Sequence, residues 1–104
     1  MSLWSESAKS LALAFGWYGP ADVYRAGALH SARVMIGVFI PGDRPSREAL
    51  ADLGGARASK LGSAARGTDI LDGDELRATG HTWMVQGAED TPELHMMALS
   101  EVML

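Results

Sequence analysis

The chain has 104 residues, a net charge of −4 and no cysteine. That length suits one domain rather than two, because a domain of this size buries roughly two-thirds of its unfolded surface and needs no disulfide or metal to hold a core. The absence of cysteine excludes disulfides, zinc knuckles and thiol nucleophiles, and it suits a reducing, intracellular compartment.

From Leu3 to Phe15 the apolar residues Leu3, Trp4, Ala8, Leu11, Ala12 and Phe15 recur at steps of three and four. Ser2 or Ser5 supplies a cap and Gly16 a stop, so this stretch is predicted to form an amphipathic helix of about three turns. The apolar run behind Lys9 is far shorter than the roughly 18 residues of a membrane span, so neither a membrane segment nor a signal peptide is expected. Trp17-Tyr18-Gly19-Pro20 reads as a break and turn. Asp22–Ala26 is a plausible strand, and Gly27–Ser31 is expected to turn it back.

Arg33–Ile40 is the clearest strand: Val34, Ile36, Val38 and Ile40 share one face, and Arg33, Met35, Gly37 and Phe39 share the other. Gly37 in its middle predicts a bulge or bend that wraps the strand around a barrel corner. Pro41-Gly42-Asp43-Arg44-Pro45 ends it and opens a long, mobile connection, 41–58. Within that connection Ser46–Leu53 has the makings of two helical turns, capped by Ser46 and closed by Gly54-Gly55. A connection of this length is expected to be functional or disordered.

Strands resume weakly at Arg57–Leu61 and Ala64–Ile70, where Ala, Gly and Ser dominate. Glu75–Ala78 and Thr82–Gly87 form a predicted hairpin across Thr79-Gly80-His81, with Gly80 taking a positive φ. Pro92 opens the last strand, Glu93–Leu99. The expected fold is α+β and mainly β: a small barrel or sandwich of five to six short antiparallel strands with an N-terminal helix. A single domain covers 1–104, with helix and turn in 1–20 and the barrel in 21–104. Its expected core is Val34, Ile36, Val38, Leu76, Trp83, Val85 and Leu94.

Few residues are spaced for chemistry. His30, His81 and His95 fall in a turn, a hairpin and a strand, without the local spacing of a helix-borne or finger-type metal site. Asp69, Asp72, Asp74 and Glu75 resemble the start of a calcium loop. Counting from Asp72, however, Leu76 and Arg77 stand where an EF-hand needs an oxygen ligand and then Gly, and counting from Asp69, Gly80 stands where it needs Glu. There is no Gly-x-Ser-x-Gly elbow. Gly54-Gly55-Ala56-Arg57-Ala58-Ser59-Lys60 lacks the phosphate-loop order and reads as a hinge. Trp83 alternates with His81 and Val85 and is expected in the core, where its indole N–H needs a partner. The six Met residues suggest adaptable packing or an adaptable contact surface. No catalytic residue, cofactor or metal is expected, and nothing in the pattern supports an enzyme.

Charge is distributed unevenly. Residues 1–40 carry +1 and 41–66 carry +2, whereas 67–104 set Arg77 alone against eight carboxylates, or −7. A basic middle and an acidic end on one small domain suit attraction between copies. Two solvated loop regions of chance composition account for the same numbers. The basic residues expected to meet a partner are Arg44, Arg47, Arg57 and Lys60.

Three pieces of the chain, in order, resemble the small head-tail joining proteins of long-tailed bacteriophages, the lambda FII and stopper type. They are Ile36-Gly37-Val38-Phe39 followed by a long loop; Thr68-Asp69-Ile70 shortly before Gly73-Asp74-Glu75-Leu76; and Thr79-Gly80-His81-Thr82-Trp83-Met84-Val85 followed by a polar turn and Leu94–Leu99. Together they span about residues 32–99. The short N-terminal helix and the Ala-Ser-Gly composition of Gly54–Gly67 depart from the family's pattern.

The resemblance implies a structural virion protein of a phage or prophage: a barrel with an attached helix that forms a ring on the portal or connector once DNA is packaged, and on which the tail docks. It places the protein in the virion neck, and in the host cytoplasm before assembly. Its partners would be portal and tail proteins and further copies of itself, with passive contact to DNA in the channel and none to membrane. The loop Pro41–Lys60 is expected to point to the channel or tail. The acidic end is expected to face the DNA path, where negative walls repel phosphate. The alternative is a monomeric barrel that binds a peptide or small ligand on the Trp83 face or the Gly54–Lys60 loop.

Overall fold

A computed structural model describes residues 16–42, 44–54 and 58–102. The strands are β1 (Gly16–Arg25), β2 (Ala28–Phe39), β3 (Lys60–Ala65), β4 (Glu75–Ala78), β5 (His81–Asp90) and β6 (Leu94–Glu101), with one helix, α1 (Arg44–Gly54), between β2 and β3. Every neighbouring pair is antiparallel, and the order β1-β2-β3-β6-β5-β4 closes on itself as β4 pairs with β1. Among the described residues the fold is mainly β, a closed six-stranded barrel with one short helix. Closure pairs every strand on both sides over part of its length.

Two apolar clusters follow from the two faces of the sheet. The barrel interior holds Ala21, Val23, Ile36, Val38, Leu76, Trp83, Val85, Met97 and Leu99, joined by Ile70 from the β3–β4 connection. Outside the wall, Phe39, Leu61, Leu94, Met96 and Ala98 pack with Leu50 of α1. β6 is covered on both sides and is buried from Leu94 to Leu99. This explains why its sequence is a continuous apolar run rather than an alternation. Leu94 thus belongs to the layer under the helix, Val34 is only partly buried, and the other expected core residues line the interior.

Several sequence expectations are corrected. Trp17–Pro20 is strand, paired from Trp17↔Val38 to Pro20↔Met35. β4 reaches only Asp22–Tyr24 of β1, so Pro20 lies where β1 pairs on one side alone and a missing N–H is tolerated. Gly19 is there for packing, because a Cβ would lie 3.1 Å from the Trp17 ring. The reversal after β1 is only Ala26-Gly27, at φ 53° and 81°, and the expected turn residues Ala28–Ser31 are strand.

The irregularity assigned to Gly37 lies instead across Asp22 and Arg33. The β1–β2 register shifts between Ala21 and Val23, Arg33 takes φ 54°, and its N–H donates to Asp22 Oδ1 at 2.9 Å. Ile40 is 65% exposed beyond the end of β2, not on its buried face. β3 replaces the two weak strands expected between Arg57 and Ile70. The predicted helix over Leu3–Phe15 lies outside the described residues. The two turns expected at Ser46–Leu53 are present within α1.

Candidate functional site

The antiparallel order brings alternate strand ends to the same rim, so the barrel has two ends of different construction. At one end meet the close of β1, the start of β4, the β5–β6 turn and the β3–β4 connection. That connection crosses the opening and drops Ile70, fully buried, into the interior. It is held by polar ties. Arg25 donates through Nε to Asp74 Oδ1 at 2.9 Å and through Nη2 to Asp74 Oδ2 at 2.8 Å, and it reaches Asp69 at 3.1 Å. The Leu71 N–H donates to Asp74 Oδ2 at 2.8 Å, and His30 lies 2.7 Å from Asp69.

The Arg25 hydrogen bonds hold the Asp74 and Asp69 carboxyls below the usual carboxylate range, in Asp74 against the opposing effect of its burial. His95, 5% exposed, bridges the same plug: Nδ1 lies 2.7 Å from Asp90 Oδ1 and Nε2 2.7 Å from the Ile70 carbonyl. Asp90 also accepts from the Gly67 N–H at 3.2 Å, and the His95 bond first, then this one, holds its carboxyl below the usual range.

The other end, the mouth, collects the start of β1, the end of β2, the starts of β3 and β5 and the end of β6. A cavity of about 210 Å³ opens here, lined by Trp17, Val38, Phe39, Ile40, Lys60, His81 and Trp83, with Gly16 at its edge. The His81 ring stacks on Trp83 at 5.2 Å with planes 6° apart, and Trp17 leans on Trp83 at 5.3 Å and 56°. Beside the rings Glu101 takes a bond from His81 Nδ1 at 3.0 Å and one from Lys60 Nζ at 3.1 Å. These two bonds, His81 first, hold its carboxyl below the usual glutamate range. Trp83 is 1% exposed, and its Nε1–H has no acceptor among the described residues.

The sequence-predicted contact residues are not brought together. Arg44 and Arg47 are exposed on α1, with Arg44 Nε bonding Glu48 at 3.0 Å. Lys60 belongs to the mouth, and Arg57 lies outside the described residues. The three histidines stand apart, each against its own carboxylate. Among the described residues no group of three His, Cys, Asp or Glu side chains is placed to hold a metal ion. No helix among them is long and apolar enough to cross a membrane.

Sequence reasoning missed Trp17 as a partner of Trp83, because Gly19-Pro20 disguised its strand. The alternation Trp17, Gly19, Ala21, Val23 was the signal available. Compared with models of known protein families, with curated proteins and with solved structures, the chain finds no match.

Proposed function

We propose that this chain is a structural assembly protein of a phage or prophage virion, joining the DNA-filled head to the tail as one subunit of a ring on the portal complex. The reading starts from the resemblance carried by residues 32–99. The observation that supports it most is the route of the chain after Ile36-Gly37-Val38-Phe39. There the chain leaves a closed barrel, presents Arg44 and Arg47 on the outer face of a helix that packs on the wall through Leu50, and re-enters the sheet at Lys60. A closed barrel with one excursion that turns basic side chains outward suits a part that holds its place while the excursion meets a neighbour.

The buried polar side chains support the same reading, since Asp74 and His95 are spent on structural ties. Exposed Asp69, Asp72, Glu89, Asp90 and Glu93 gather around the plugged end, and in the ring that end faces the DNA path, where it repels phosphate and lets DNA slide. Portal and tail proteins and further copies of the chain are its partners. The neck of the virion is its place, after a stay in the host cytoplasm.

The test is reconstitution. DNA-filled heads from a phage deleted for this gene are mixed with tails, with and without the purified chain, and joined particles are counted by electron microscopy. Joining that requires the chain is expected, along with rings at the head vertex. Heads that acquire tails equally well without it overturn the reading, and a basic channel surface in the assembled ring overturns the role given to the acidic end.

A further inference from the structure

The mouth of the barrel carries an inference separate from assembly. Buried polar groups in folded proteins nearly always have a partner, and a buried indole N–H without one calls for an explanation. Among the described residues Trp83 Nε1 is such a group, and Trp83 lines the mouth cavity. The opposite end of the same barrel shows what a filled end looks like, with Ile70 seated inside and Asp74 and His95 both satisfied.

Three features define what fits the mouth. Its volume, about 210 Å³, is below the roughly 300–1,000 Å³ of pockets for drug-sized ligands, so the occupant is a single ring with one small substituent. The walls are ring faces and aliphatic side chains, and aromatic pairs favour tilted or offset contacts at about 4.5–7 Å, so a planar ring is the matching shape. The rim charges are already matched, since Lys60 and His81 both bond Glu101, so an added charge on the ligand finds no counter-charge to spare.

We propose that the mouth binds a small neutral ring compound carrying one hydrogen-bond acceptor, its ring against Trp17 and Trp83 and its acceptor on the Trp83 Nε1–H. The N–H has no solvent exposure in the ligand-free chain, so binding includes a rotation of the Trp17 or His81 ring. Both are only partly buried, and turning the His81 ring also breaks its bond to Glu101.

The test follows the indole N–H signals of the full chain by nitrogen-15 NMR. Trp83 is assigned with Trp83→Phe or, where that core variant does not fold, by eliminating the other two tryptophans with Trp17→Phe and Trp4→Phe. Benzamide is the probe, toluene the ring without an acceptor, and benzoate the charged counterpart. Benzamide is expected to move the Trp83 indole proton downfield in a saturable way. Toluene should produce no downfield shift, and benzoate should bind about tenfold more weakly.

Trp17→Ala removes a wall and is expected to weaken benzamide about tenfold while the other signals keep their dispersion. Leu71→Ala, at the far end, should leave binding unchanged. A Trp83 signal indifferent to benzamide up to its solubility overturns the proposal, as does one already downfield and protected from exchange in the free chain, because an acceptor is then in place. Either result leaves the head-joining experiment, which reads assembly alone, unaffected.

Discussion

The two ends of the barrel are built from the same kinds of residue and behave as opposites. Each has a carboxylate shared between a cation and a histidine: Asp69 between Arg25 and His30 at one end, Glu101 between Lys60 and His81 at the other. The difference is the chain that crosses the opening. At the plugged end the β3–β4 connection inserts Ile70 and buries Asp74 to 2% exposure, whereas the mouth triad stays on the rim, with Glu101 exposed. Ion pairs decorate both ends, but a barrel end closes only where the backbone carries an apolar side chain into it. What that closure demands in return is a buried partner for every polar group it covers.

The largest expected effect therefore falls on Asp74. Asp74→Ala removes the carboxylate that Arg25 grips twice and that accepts from the Leu71 N–H, leaving that donor without its acceptor and the guanidinium with Asp69 alone. A loss of about 3 kcal/mol in urea unfolding is expected. Hydrogen exchange should show the β3–β4 connection opening first.

Acid should act at the same place. A carboxyl held below its ordinary value in the folded chain gives stability that is complete above the unfolded value, about 3.9, and is lost as pH falls through the folded one. Unfolding free energy should thus decline below about pH 4, and Asp74→Asn should flatten that slope. An unchanged slope would show that the plug owes its acid response to other carboxylates.

At the mouth the sharpest constraint is backbone proximity. A Cβ on Gly16 would run into the Val38 carbonyl oxygen, so Gly16→Ala must push β1 away from β2 where the cavity begins. We expect a loss of about 2 kcal/mol, confined to faster exchange near Trp17 and Phe39, with the plugged end unaffected. Exchange rising equally at both ends would mean that the barrel opens as one unit.

The third effect has the opposite sign. Ala26, at φ 53° in the turn beside Arg25, occupies a conformation that costs an L-residue about 1–2 kcal/mol, and Asn-Gly is the preferred pair for such a turn. Ala26→Asn is expected to raise stability by about 1 kcal/mol in the same unfolding assay.

These residues also show what the sequence made legible. The alternation from Val34 to Val38, Gly80 in its hairpin and the apolar run Leu94–Leu99 each satisfied one local rule, and they were read with their strands. Gly19-Pro20 obeyed a local turn rule that long-range packing overrode, because Trp17 needed the space over Gly19 and the partial pairing of β1 tolerated a proline. Ala26-Gly27 escaped notice because alanine rarely takes positive φ. The mouth was half visible: Trp83 and His81 alternate on one strand, but Trp17 and Glu101 join them only through closure of the barrel, which no local spacing encodes. Ile70 was read at the end of a strand, and its role as a plug depends on a crossing that sequence patterns do not specify.

The smallest expected effect is the one that best separates the two ends. Glu101→Gln deletes the mouth's shared carboxylate but keeps its shape, and the groups it leaves, Lys60 and His81, both retain access to water. Exposed pairs of this kind contribute little, so the stability change should stay below about 1 kcal/mol, against about 3 for Asp74→Ala. Glu101 is held below the ordinary glutamate value by His81 and Lys60, so whatever it contributes is present above about pH 4.3 and vanishes in acid, where wild type and variant should converge. The variant also uncovers the Lys60 ammonium beside the cavity, so an anionic ring such as benzoate should then bind in preference to neutral benzamide. A Glu101→Gln chain as damaged as Asp74→Ala, with no change in ligand charge preference, would make the mouth a second structural plug and erase the distinction between the ends.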